Sequence, residues 1–161
     1  MVNSTIGNQL IKQTLTYAKT IAMVGVSLIK KEETSILIRR RPSIIVMKYL
    51  QEFGYRVIPV NLFSEGKKIH GETIVAKLED ITIPVDIVDV FRPSKEAPII
   101  AKQAVKIGAK VLWLQFGIQN QEAQQIAKSE NITYIANRCI KQEYQKLFLK
   151  INPVFPVLLN D

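Results

Sequence analysis

Cysteine, histidine and tryptophan each occur once in this chain of 161 residues, and each scarcity removes a different chemistry. The single thiol, Cys139, excludes an internal disulfide framework and any cysteine-rich zinc site. It suits a reducing compartment, so a cytoplasmic location is expected. The single histidine, His70 in KKIHGE, has no second histidine and no cysteine near it, so the ligand set of a metal site is missing and a surface loop residue is expected. Ser27 is left with only His70 as a base for nucleophilic work, and donating to a phosphate is the better reading. Trp113, inside VLWLQF, reads as core. Long hydrophobic runs are absent, and none approaches the roughly 18 residues of a membrane span. The opening MVNSTIGNQLIKQTL lacks a basic stretch followed by an apolar one, so no signal peptide is expected. Also missing is the full G-x-G-x-x-G spacing of a dinucleotide-binding turn, of which only the first glycine is present.

What remains is ordinary for a globular protein: 47% apolar and 22% charged residues, enough chain to bury one core. A single domain over 1–161 is expected, with its core at about 17–148 and a helix and a tail as extensions. The net charge of +8 should attract polyanions, whether nucleic acid, phosphorylated metabolite or acidic protein.

The central stretch is TIAMVGVS, Thr20–Ser27, an apolar strand-like run that ends on Gly25. Gly25 permits a tight turn and a close ligand, and Ser27 adds a hydroxyl beside free backbone N–H groups. Before it, Ile6, Leu10, Ile11 and Leu15 predict an amphipathic helix over 8–18. After it comes a long loop, 28–41, with five basic residues (Lys30, Lys31, Arg39, Arg40, Arg41) against Glu32 and Glu33. Strand-to-helix connections normally take only a few residues. Its Ile36, Leu37 and Ile38 need cover from a ligand, a second subunit or the domain itself, which makes a homodimer one expectation.

Pro42 suits a helix start, Val46, Tyr49, Leu50 and Phe53 mark its apolar face, and Gly54 stops it. Further strands are expected at 55–61, 86–91, 110–116 and 133–136, with helices at 97–107, 121–129 and from Ile140. A short helical piece is expected in VAKLEDI, and the tail INPVFPVLLND should lie along the surface or a partner. Five alternations of strand and helix predict an α/β, doubly wound sheet of about five parallel strands with helices on both faces.

Ligands bind beyond the carboxyl ends of such strands. Those ends carry Gly25–Ser27, Asn61, Phe91–Arg92, Gln115–Gly117 and Asn137–Arg138, a candidate pocket rim. A nicotinamide dinucleotide usually needs a carboxylate after the second strand, where this chain has Asn61. Basic residues in the long loop and at Arg56 favour a nucleotide with an extra ribose phosphate, either NADP or coenzyme A. Asp86 and Asp89, three apart on a strand, point to opposite faces and should not share a substrate; Asp89 should bond loop backbone. Arg138 would lower the pKa of Cys139 and make it reactive, against the plainer reading of a small buried residue at a helix start.

Five blocks now carry a resemblance: TIAMVGVS, RPS at 41–43 leading into VMKYLQEFGYRVIPVN, PVDIVDVFRP, GAKVLWLQFGI and NRC. In that order they resemble the stand-alone CoA-binding domain proteins, similar to the nucleotide-binding domain of the succinyl-CoA synthetase α-subunit. The resemblance implies a Rossmann-like fold and coenzyme A or an acyl-CoA as ligand. It implies that Gly25, Val26 and Ser27 line the diphosphate and that Arg41, Pro42 and Ser43 close over it. Lys30 belongs to the basic loop that would neutralise the ribose phosphate. Pro59 and Asn61 would sit by the adenosine, Val90, Phe91 and Arg92 on the adenine side, and Gln115 and Gly117 along the pantetheine path. Two departures stand out: the family joins its first two blocks by a shorter linker, and it has Asp where this chain has Asn137. The phosphohistidine of the synthetases lies in a further domain with no counterpart here.

The expectation is therefore a non-catalytic binder of coenzyme A or an acyl-CoA, a small-molecule nucleotide ligand, with no membrane partner. The competing classes are an NADP-dependent redox protein and a basic nucleic-acid-binding module. The first should show a substrate domain or proton donor. The second should show exposed aromatics among its basic residues, and these are missing around Arg39–Arg41.

Overall fold

The computed structural model describes residues 4–26 and 42–150. Ser27, Lys30, Arg41, the rest of the basic loop and the tail from 151 onward lie outside the described residues, and with them the expectations placed there.

The chain opens with α1 (Ser4–Tyr17) and β1 (Thr20–Val24), followed by α2 (Pro42–Glu52) and β2 (Arg56–Val60). A small hairpin of β3 (Lys68–Ile69) and β4 (Glu72–Thr73) precedes β5 (Ile87–Val90). Then come α3 (Ala97–Lys106), β6 (Val111–Leu114), α4 (Gln121–Ser129), β7 (Thr133–Ile135) and α5 (Ile140–Tyr144), which runs on as a π-helical turn over Gln145–Leu149. The main sheet has the order β2-β1-β5-β6-β7, with every pairing parallel. This is the expected α/β, Rossmann-like arrangement.

Helices cover both faces because the strands are apolar on both sides. Ile21, Met23, Ile87 and Trp113 pack with Ile11 and Leu15 of α1, Met47 and Leu50 of α2, and Ile140 of α5. Ala22, Val88, Leu112 and Leu114 pack on the other face with Ala97, Ile100 and Ala104 of α3 and Ala123 of α4. Strands buried on both faces read as continuous apolar runs, which is how IAMV, IVDV and VLWL appear in the sequence.

Four local outcomes differ from the sequence reading or sharpen it. The first helix begins at Ser4 and stops at Tyr17. The helix expected in VAKLEDI is only a 3-10 turn at Leu78–Asp80, because Val75 is drawn into the sheet margin, its N–H donating to the Pro59 carbonyl at 3.0 Å. That bond shows why Pro59 is tolerated: its missing N–H faces outward from the last strand of the sheet. Gly54, at φ +96, ends α2 as expected, with the Tyr55 N–H donating to Leu50 O at 3.1 Å.

Candidate functional site

β1 and β5 lie side by side, but β2 continues the sheet on one side of the pair and β6 on the other. The strand order therefore reverses between them and opens a crevice beyond their carboxyl ends, where open α/β sheets take their ligands. Gly25 stands at this point with φ +95, and a Cβ there would lie 2.8 Å from both Arg92 Cδ and the Phe91 carbonyl oxygen. Its own N–H donates to Val60 O at 3.0 Å, while the Phe91 N–H donates to Val24 O at 2.9 Å. Glycine is required because the end of β5 folds across the turn. The expectation of free N–H groups fails at Gly25, whose donor is spent on β2.

The neighbouring residues tie the crevice together. Val26 is fully buried, and its carbonyl accepts from Asn61 Nδ2 at 2.7 Å. Asn61 Oδ1 accepts from the Phe63 N–H at 2.9 Å and caps the 3-10 turn at Leu62–Ser64, so one end of the amide ties the tips of β1 and β2 and the other fixes the loop after β2. Pro59 and Val90 are buried within the layers, and Phe91 is half-buried. Arg92 crosses the glycine turn and pairs with Glu96, Nη2 to Oε2 at 2.8 Å and Nε to Oε1 at 3.3 Å. Pro42 and Ser43 open α2, Ser43 being buried. On the far side, the Gly117 N–H donates to Asn137 Oδ1 at 2.7 Å, a bond that an asparagine oxygen accepts as well as a carboxylate would. Gln115 is buried, and its Oε1 accepts from the Ile140 N–H at 3.2 Å.

Leu62, Phe63 and Phe116 stand exposed beside these strand ends and offer apolar surface. Arg56 does not belong here. It begins β2 at the opposite end of the sheet, level with Thr20, and is paired with Glu72 at 3.1 Å. A residue five positions before Asn61 on an extended strand cannot reach the same edge. A cavity of about 230 Å³ also lies at that far end, lined by Leu10, Tyr17, Asp86 and Lys110. It opens beside the amino ends of the strands, away from the switch point, and its charges already pair, Lys110 Nζ to Asp86 Oδ1 at 3.6 Å.

Two sequence expectations are corrected by buried groups on the α1–α2–α5 side of the sheet. Asp89 does not bond loop backbone: it is fully buried, neither carboxylate oxygen has a hydrogen-bond partner, and burial pushes its pKa well above the usual value. It lies level with Met23 on one side and Trp113 on the other, under the α1–α2–α5 layer. Cys139 is not activated by Arg138, whose guanidinium pairs with Glu143 at 2.9 Å. Burial raises the Cys139 thiol pKa, and the Asp89 charge adds to the rise against hydrogen bonds that lower it, including one to Gln115. The signal for Asp89 was available: it is an acid inside the apolar run DIVDVF. His70 is exposed in the hairpin turn, as expected, and no cluster of three or more metal-ligating side chains occurs among the described residues. None of the described helices is long and apolar enough to cross a membrane.

Comparison with known proteins gives the family and relatives of the same fold. The family described as CoA binding domain matches residues 19–145. An uncharacterized protein of Bacillus subtilis, YneT, is 37% identical over 131 residues, covering 81% of this chain and 89% of its own. The Thermus thermophilus protein called cell-free ID.343 shares 37% identity and superposes with a TM-score of 0.78, over 88% of this chain and 98% of that one. A hypothetical protein of Pyrococcus horikoshii shares 36% identity with a TM-score of 0.75, over 87% of this chain and 91% of that one.

Proposed function

Since the chain belongs to the CoA binding domain family, we propose that it binds coenzyme A or an acyl-CoA in the crevice between the tips of β1 and β5. The observation that carries this reading is the Gly25 turn at the switch point, covered by Arg92 and edged by exposed apolar side chains. A diphosphate needs donors and positive charge, an adenine needs apolar surface, and a pantetheine arm needs a channel.

Arg92 supplies a cation at the mouth, and the start of α2 adds the N–H groups and partial positive charge of a helix N-terminus. Ser27 and Arg41 join the proposal on the family resemblance, and Lys30 on the positive charge of the basic loop that holds it. Phe91 and Phe116 provide apolar surface for the adenosine and the arm. Gln115 and Gly117 border the path toward β7. Asn61 and Val26 act as positioning residues, holding the two strand tips at fixed separation. When bound, the coenzyme supplies a thiol or thioester, and the described residues hold and orient it.

Mass spectrometry of the small molecule released on denaturing freshly purified protein tests the reading, followed by calorimetric titration with CoA, acetyl-CoA and NADP. CoA or its acetyl ester should bind and NADP should not. Binding of NADP in preference to both would overturn the reading. Arg92→Glu places a negative charge over the turn and should weaken CoA binding by about tenfold or more, the effect of about 1.4 kcal/mol.

A further inference from the structure

We propose that Cys139, Asp89 and Gln115 form a thiol–disulfide exchange site whose substrate is the disulfide of the coenzyme, a proposal that rests on the coenzyme A reading of the crevice. Three facts place these groups together. Asp89 and Trp113 are level on adjacent strands, and Gln115 follows two residues after Trp113, on the same side. The Trp113 indole N–H donates to Arg138 O at 2.8 Å, and Gln115 Oε1 accepts from the Ile140 N–H at 3.2 Å. Cys139 lies between those two anchors, so the peptide that carries it is clamped on both sides over the ends of β5 and β6. Its side chain is half-buried, while Asp89 is sealed from solvent with both oxygens unpartnered.

A buried carboxyl that bonds nothing in the middle of a sheet calls for an explanation, and its charge acts on the ionisation of the Cys139 thiol. The other charges nearby are committed elsewhere. Arg138 pairs with Glu143, and Lys141 is buried with its ammonium 5.2 Å from the centre of the Tyr49 ring. Asp89 is thus the group left to handle the Cys139 proton.

The exchange balances without an added oxidant. The Cys139 sulfur attacks one sulfur of the coenzyme disulfide, and its proton passes to Asp89 in the fraction of molecules in which that buried carboxyl is ionised. A Cys139–coenzyme disulfide forms, the original S–S bond breaks, and the departing thiolate takes the proton back from Asp89. One thiol is consumed and one released. Burial makes the Asp89 carboxyl a stronger proton holder than an exposed carboxylate, which is the property the step uses. Thioester transfer fits less well, because it needs donors for a tetrahedral oxyanion and the Ile140 N–H is already held by Gln115.

The test treats the full chain with oxidised coenzyme A or, separately, with hydroxyethyl disulfide, followed by intact mass spectrometry. Calorimetry with reduced CoA runs in parallel. The expected result is one coenzyme moiety per chain, reversed by dithiothreitol and formed faster than the hydroxyethyl adduct. Cys139→Ser should abolish the adduct yet keep the calorimetric affinity. Asp89→Asn should slow exchange by about 100-fold and remove an inflection from its pH–rate profile. The wild-type profile carries the same information should that variant not fold. Reversible CoA binding with no adduct, or with an adduct no faster than that of hydroxyethyl disulfide, overturns the exchange site alone. Absence of any CoA binding overturns the crevice reading as well.

Discussion

At the residue scale, two positions carry most of the consequence. Gly25→Ala would force a Cβ to within 2.8 Å of Arg92 Cδ and Phe91 O while keeping φ at +95. The backbone strain alone costs about 1–3 kcal/mol, and relieving the collision must push β5 off the turn. The variant should melt lower, and the CoA titration should lose its signal. Asp89 controls a pH dependence whose sign is fixed by burial. Its folded pKa lies above the unfolded value, so the folded state holds a proton that the unfolded chain has released. Stability falls as pH rises through that window. Asp86 acts in the opposite sense. Burial pushes its carboxyl up, but the Lys19 and Thr20 N–H groups, bonded to Oδ2 at 2.9 and 3.0 Å, together with Lys110 bring it below the usual value. Its contribution is present above the unfolded pKa and is lost on acidification. Melting temperatures from pH 3 to 8 (roughly the range in which carboxylates titrate) should show Asp89→Asn flattening the loss with rising pH. Asp86→Asn should remove part of the loss on acidification.

At the element scale, the junctions are held by a few side chains. Asn120 caps α4, its Oδ1 accepting from the Ala123 N–H at 2.9 Å, while its Nδ2 donates to Ser94 O at 3.0 Å. One residue thus starts a helix and ties the loop after β6 to the loop after β5. Asn120→Ala should cost about 1 kcal/mol for the cap and more for the lost tie, seen as a lower urea midpoint at unchanged slope. Tyr55 joins β2 to α1 through its hydroxyl, which donates to Leu15 O, and burial, followed by the Tyr144 charge, pushes its pKa up to about 12. The folded state keeps that proton to higher pH, so stability should fall between pH 10 and about 12, and Tyr55→Phe should lessen the fall. Elements with a strong period were legible in the sequence. The pattern in 121–129 matches α4 residue for residue, and the apolar runs locate every strand of the main sheet. The strands end sooner than their apolar runs: Gly25, Phe91 and Gln115 make a last N–H bond to the neighbouring strand, and the chain leaves the sheet after them. The β3–β4 hairpin was not legible, since a pair of two-residue strands has no period to detect.

For the whole molecule, the reversal of strand order between β1 and β5 decides where a ligand can sit. A ligand bound there bridges the two halves of the sheet and should stabilise the fold. At one hundred times its dissociation constant, CoA should contribute about 2.7 kcal/mol, a melting shift of roughly 5–10 °C for a chain of this size. NADP at equal concentration should leave the melting curve in place. The net charge of +8 attracts any polyanion, so the comparison belongs at physiological salt, where exposed charges are screened.

The sequence by itself determined the layer architecture, the parallel sheet and the family, because these depend on the order of apolar runs and on short contiguous blocks. Only the tertiary structure decided that Arg56 stands at the wrong end of its strand, that Arg92 lies over Gly25, and that Asp89 is sealed from solvent without a partner. Those facts depend on which residues from distant parts of the chain meet, and strand periodicity says which face a side chain takes without naming the neighbour it will find there.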